Sequence, residues 1–118
     1  MNFDDSNILS QLEAANEAQL DGESFGIVKM DHSGKVIEYN ASQSKFTGMS
    51  KGNVKGKHFF SEVAPCTNNF MVSQKYDGNA QLDESVDYTF TLKMQPTPVK
   101  LRLLKNDKHQ YLFVKKAA

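Results

Sequence analysis

The last third of the chain restricts the fold more than any other part. From Ser85 to Lys116 it contains the runs SVDYTFTLKM, PVKLRLLK and HQYLFVKK, in which apolar and polar residues alternate. Successive side chains of an extended strand point to opposite faces, so the pattern predicts three strands, turning at Gln95-Pro96-Thr97 and at Asn106-Asp107-Lys108. Earlier, FGIVKM and KVIEY flank Asp31-His32-Ser33-Gly34, two short β-branched runs around a tight turn, and read as an antiparallel hairpin.

Helical signals fill the remaining segments. Ile8, Leu12 and Ala15 fall at helical spacing, with Ser6 as an N-cap and Asp21-Gly22 as a stop, which predicts one weakly amphipathic helix or two short ones. Asn40 stands as the N-cap of a helix ending near Gly48, and Gln43 follows it at the capping-box position. Ser50 to Thr67 predicts short helical turns and loops, and Phe70 to Tyr76 a helix ending at Asp77-Gly78-Asn79. The sum is an α+β domain, a five-stranded antiparallel sheet with short helices on one face and an N-terminal helical cap. A chain of 118 residues suits a single domain over 1–118, with the cap over 1–22 and the core over 23–118.

Charge narrows the function. Lys plus Arg and Asp plus Glu both number 14, with no dense basic stripe, so neither nucleic acid nor an anionic membrane is an expected partner. No apolar run is long enough to span a bilayer, and MNFDDSNILS lacks the basic start of a secretion signal. These features predict a cytoplasmic monomer. His32, His58 and His109 show no metal-ligand spacing, and a single cysteine rules out both an internal disulfide and zinc sites built on paired thiolates.

That cysteine, Cys66, lies in HFFSEVAPCT. On the residues alone it is either a small buried hydrophobe or a nucleophile. The order of elements, with Asp31, Gly34, Asn40-Ala41, Gly48 and Gly56, resembles a PAS domain. HFFSEVAPCT, with LDGESFG, EYNASQSKFTG and DYTFTLKMQPTPVK, resembles the photoactive yellow protein family of bacterial blue-light receptors over about Gln19 to Lys116. The resemblance implies a non-enzymatic photoreceptor in which Cys66 carries 4-hydroxycinnamic acid (p-coumaric acid) as a thioester, light isomerises its double bond, and the N-terminal segment loosens to signal to a downstream protein.

A phenolate buried at the far end of such a ligand needs hydrogen-bond donors around it. Tyr39, Gln43 and Thr47 supply them, the last two one helical turn apart. Tyrosine and threonine match the family pattern, whereas Gln43 replaces a carboxyl, and Met49 stands where an arginine is common. Phe59, Ala64 and Pro65 flank the cysteine, and Tyr88, Phe90 and Met94 share one strand face as candidate pocket walls. Each has a structural alternative: Gln43 as the second half of a capping box with Asn40, Tyr39 and Thr47 as hydrogen-bonded framework, Phe90 and Met94 as core. Two other functions remain open, a PAS-type interaction module without chromophore and a thiol-based redox sensor or catalyst using Cys66 with His58.

Overall fold

The computed structural model describes residues 1–92 and 95–117. Its elements are α1 (Ile8–Ala14), α2 (Glu17–Asp21), β1 (Gly26–Met30), β2 (Val36–Tyr39), α3 (Ala41–Thr47), α4 (Lys51–Val54), a π-helical turn (Phe59–Val63), a 3-10 turn (Pro65–Thr67), α5 (Ser73–Asp77), β3 (Leu82–Leu92), β4 (Gln95–Lys105) and β5 (Gln110–Lys116). The strands form one antiparallel sheet in the order β2-β1-β5-β4-β3. The first and last strands are therefore central neighbours, paired at Val28 and Leu112. Among the described residues no helix is long and apolar enough to cross a membrane.

Two apolar clusters form. One packs Val28, Tyr39, Phe59, Phe60, Phe90 and Leu101 together with the segment between β2 and β3. The other joins Phe3, Ile8, Leu12 and Leu20 of the N-terminal segment to Ile27, Tyr111 and Phe113 of the sheet. Because side chains alternate along a strand, Ile27 and Val28 serve different clusters, and the cap lies on the face opposite the helical block.

The β1–β2 turn follows the sequence reading. The Asp31 carboxylate accepts bonds from the Ser33 and Lys35 amides at 2.9 and 3.0 Å, and Gly34 adopts φ 91°, which a side chain disfavours. Three local expectations change. Gln95-Pro96-Thr97 is strand, with Thr91 opposite Pro96 and Leu92 opposite Gln95. The Pro98 carbonyl accepts from Ala117 N at 3.1 Å, so the position that lacks an N–H faces the β5 side, where pairing ends at Val99 opposite Lys116. Pro96, two residues back, faces the same way, and neither proline interrupts the ladder to β3.

Ser6 does not cap α1, whose N-cap is Asn7 with no side-chain bond. The predicted helix from Phe70 begins only at Ser73. The Asn69 side-chain oxygen takes the amides of Met71 and Val72 at 2.9 and 3.2 Å, an Asx turn that competes with helix and leaves Phe70 exposed.

Polar ties hold the cap to the sheet. The Arg102 guanidinium, buried on β4, donates to the carbonyls of Phe3 and Asp5 at 2.9 and 2.7 Å and to the Asp83 carboxylate at 2.9 and 2.8 Å. On α1, the Glu13 carboxylate meets His109 Nδ1 at 2.9 Å and accepts from Asn106 at 2.9 Å. Burial alone would raise the Glu13 carboxyl, but the bonds from Asn106 and His109 outweigh it and hold it below the ordinary glutamate range. A carboxyl depressed by folding contributes in full above its unfolded pKa of about 4.3 and loses that contribution as pH falls through the folded value. Below about pH 4 the amides of α1 are therefore expected to lose protection before those of β4 and β5 do, measured by hydrogen exchange. Simultaneous loss in all three would show that Glu13 is no local tie.

Candidate functional site

The α3 helix is set in place by Asn40, whose side chain makes four buried bonds. Its oxygen accepts from Ile27 N at 2.9 Å and Gln43 N at 3.0 Å, and its amide donates to the carbonyls of Leu20 and Phe25 at 2.8 and 3.0 Å. These bonds use the whole capacity of the group and join α2, β1 and α3 at one point. The backbone N–H of Asn40 donates to the Ile27 carbonyl at 3.1 Å. That strand contact takes the place of a reciprocal bond from Gln43, so Asn40 caps α3 without a complete capping box. The complete box lies elsewhere, between Asn16 and Gln19 of α2.

Released from capping, the Gln43 side chain turns inward and is 1% exposed. Its oxygen Oε1 is buried without a hydrogen-bond partner. It rests on Gly26, where an added Cβ would come within 2.0 Å of Oε1 and 3.0 Å of Cδ. Gly26 lies outside the glycines with positive φ, so it serves to leave room and not to permit an unusual backbone. Gln43 and Tyr39 line the same cavity. Gly26→Ala is therefore expected to displace Gln43 and cost about 1–3 kcal/mol by overpacking. Urea unfolding measures the cost and the Gln43 side-chain NH2 resonances measure the displacement. Unmoved resonances would count against this packing.

Tyr39 ends β2, fully buried, with its hydroxyl 2.8 Å from Thr47 Oγ1. Thr47 donates its single hydroxyl hydrogen to the Gln43 carbonyl at 3.0 Å, so in this arrangement Tyr39 is the donor toward Thr47. Burial raises the Tyr39 pKa, while the hydrogen bond with Thr47 opposes the shift only in part. Tyr39 thus stays a neutral donor at physiological pH.

The Cys66 segment is shaped by local bonds. His58 caps the π-helical turn, its Nδ1 accepting the Ser61 amide at 3.2 Å while Glu62 accepts from His58 N at 3.1 Å. The Ala64 amide closes that turn on Phe59 O at 2.8 Å, and Pro65 opens the 3-10 turn carrying half-buried Cys66. The Cys66 carbonyl accepts from the Tyr88 hydroxyl and from Asn69 Nδ2, the latter at 3.2 Å, while Asn69 also bonds the Tyr88 oxygen at 2.5 Å. Tyr88 therefore holds the backbone of the cysteine.

These elements enclose a cavity of about 110 Å³. Tyr39, Gln43, Thr47, Phe59, Ala64, Pro65, Cys66 and Phe90 of the sequence-derived set line it, joined by Met49, Val63 and Thr91. Tyr88 reaches Cys66 from outside this lining, and Met94 lies outside the described residues. Val63 was readable from its place within HFFSEVAPCT, whereas nothing local marks Asn69 or Thr91. No described lining residue is charged. His58 is absent from the lining, with Nε2 turned toward Gly34 and Nδ1 on Ser61, so no thiol–imidazole pair forms in the cavity. Among the described residues no His, Cys, Asp and Glu cluster could hold a metal ion.

No protein-family model matches the chain. The photoactive yellow protein of Halochromatium salexigens is 34% identical to it, over 98% of this chain and 97% of that protein. The photoactive yellow protein domain of the sensor histidine kinase Ppr from Rhodospirillum centenum is 31% identical and superposes with a TM-score of 0.84, covering 91% of this chain and 98% of that domain. A PAS domain of an HTR-like protein from Haloarcula marismortui, 14% identical with a TM-score of 0.63, shares the fold. With its five-stranded PAS sheet and its one thiol beside a buried tyrosine and glutamine, the chain belongs to the photoactive yellow protein family.

Proposed function

We propose that the chain is a blue-light receptor that carries a 4-hydroxycinnamoyl group as a thioester on Cys66, and that it acts as a signalling module without catalytic turnover. The observation that carries this reading is the cavity itself, which combines the one thiol, two inward-facing donors and aromatic walls in a lining free of charge. The donor set suits a phenolate: a neutral tyrosine hydroxyl and an amide can each donate to an anionic oxygen, and Phe59 and Phe90 are flat apolar surfaces for a ring. When bound, the group supplies blue absorption and an isomerisable double bond.

The chain's own residues do the rest. Thr47 can turn its hydrogen from the Gln43 carbonyl to the Tyr39 oxygen, which frees the Tyr39 hydrogen for an acceptor in the cavity. Gln43 can donate an N–H there but has no acidic proton to release. The bonds from Tyr88 and Asn69 hold the Cys66 carbonyl, so a change at Sγ is resisted by the backbone and directed into the cavity.

Signalling runs from α3 to the cap in this reading. Asn40 opens α3 and binds the Leu20 carbonyl of α2, so a shift of α3 strains a cap contact. Residues 1–22 then act as a cap that loosens on a core over 23–118, and a downstream signalling protein reads the change. Illumination is expected to reduce amide protection of Ile8 to Leu20, and equal protection in dark and light would count against this route. The deciding experiment is reconstitution with an activated 4-hydroxycinnamoyl donor. The expected result is a thiol-linked adduct with a blue absorption band that light bleaches reversibly. A protein that stays colourless with its thiol accessible would sink the reading.

A further inference from the structure

A second and larger cavity, about 630 Å³, lies on another face of α3 and has no part in the photochemistry proposed above. It is a groove between Ser42, Lys45 and Phe46 of α3 and the place where β1 begins and β5 ends, at Phe25, Lys115 and Lys116. Its charge is of one sign. Among the described residues Lys45, Lys115 and Lys116 enter no ion pair, which they share with most lysines of the chain, but here the three line one groove with no acidic residue among its lining. In a chain with 14 basic and 14 acidic residues, this is a local excess that folding has not neutralised.

The groove also offers apolar surface beneath the charges. The Lys116 ammonium stands 5.6 Å from the centre of the half-buried Phe46 ring, which lines the groove with Phe25, while the Lys115 ammonium leans to the cap side of the rim, 5.8 Å from the Phe3 ring. A ligand with carboxylates and an apolar side chain would satisfy both features, the carboxylates on the ammonium groups and the apolar group against Phe46.

The groove backs directly onto the Cys66 cavity. Gly26 lines the groove and is the residue against which Gln43 Oε1 rests, so one glycine separates them there. Phe46 lines the groove and packs at 6.2 Å on Phe90, which lines the cavity. An occupant of the groove thus touches the two residues that abut the Cys66 site.

We propose that this groove docks an acidic segment of a partner protein, with its carboxylates on Lys45, Lys115 and Lys116, and that its occupancy is coupled to the Cys66 cavity through Gly26–Gln43 and Phe46–Phe90. The coupling rests on the light-receptor reading; the docking does not. Coupling between two sites is reciprocal, so a partner whose affinity changes with light must itself change the absorption. Exposed ion pairs are individually weak, which suits a transient signalling contact.

The test uses the full chain without chromophore and a short fluorescein-labelled peptide rich in Glu with a central Phe. Peptide binding is expected to shift the amide resonances of 24–26, 42–46 and 114–116. The combined Lys45→Gln, Lys115→Gln and Lys116→Gln variant is expected to bind at least about tenfold more weakly, while Lys57→Gln with Lys108→Gln binds as the unaltered chain does. Equal binding by both variants, or shifts spread beyond the groove, would overturn the docking site. So would vesicles of phosphatidylserine and phosphatidylcholine that displace the peptide from the groove at lower concentration than unlabelled peptide, since the ligand would then be a lipid surface. In chromophore-loaded protein, saturating peptide is expected to move the absorption maximum, and an unmoved maximum overturns the coupling. A chain that never takes up chromophore leaves the peptide titration interpretable and counts only against the receptor reading.

Discussion

Cys66→Ala is expected to fold and to remain colourless when mixed with an activated 4-hydroxycinnamoyl donor. Cys66 is the only cysteine, so no other thiolate is available to take the acyl group as the donor's leaving group departs. The loss of adduct should be complete. The stability cost should be small, about 1 kcal/mol or less, because the side chain is half-buried and its carbonyl, the group bonded by Tyr88 and Asn69, is unaffected. Intact-protein mass reads the adduct, and urea unfolding reads the fold. A covalent, blue-absorbing adduct on the alanine variant would disprove the assignment.

Gln43→Glu should shift the dark absorption to the blue. A carboxylic acid donates a shorter, stronger hydrogen bond to a phenolate than an amide N–H does, and so holds negative charge at the ring oxygen. Charge held there in the dark is charge that excitation must move, which raises the transition energy. The two donors differ by about 1–2 kcal/mol against a blue photon of about 60 kcal/mol, so the shift is on the order of a few per cent. The same variant puts a titratable proton where Gln43 has none. After isomerisation that proton can pass to the phenolate and leave a buried carboxylate, whose desolvation drives rearrangement. Light-induced hydrogen exchange of the cap should increase accordingly. An absorption band that stays in place would show that position 43 makes no contact with the phenolate.

The structure excludes the capping-box reading of Gln43 and turns its side chain toward the cavity. Asn40 and Gln43 fit a capping box by spacing, and Gln43 and Thr47 fit a shared helix face by the same spacing. The local pattern satisfies both. The outcome depends on Ile27, thirteen residues earlier than Asn40, whose carbonyl takes the Asn40 N–H. It depends equally on Gly26, whose missing side chain leaves the space that Gln43 Oε1 enters.

Tyr88 shows the same limit. Alternation along β3 puts it on the face of Phe90, but alternation cannot tell that its hydroxyl crosses to the Cys66 carbonyl, 22 residues away. Pro96 reads as a turn residue and Pro98 as the first residue of a strand, yet both lie within β4 because their missing amides face a position that β5 does not reach.

The hydrogen bonds of turns and helix caps, and side-chain alternation along a strand, act over two to five residues, and features of that range are visible in the chain as written. The β1–β2 turn at Asp31 and Gly34, the alternating strands of the last third, the αL glycine that ends α3 and the Cys66 turn opened by Pro65 are all of this kind. Other features need parts of the chain that are adjacent only after the sheet has formed. Arg102 binds the Phe3 carbonyl across 99 positions, Glu13 meets His109 across 96, and Tyr39 reaches its place beside Cys66 only because β2 lies at the sheet edge under the helical block. Residue type sets what each of these groups can bond; which partner it meets is set by the packing of two faces of one sheet, where every buried donor competes for the acceptors that the whole fold brings within reach.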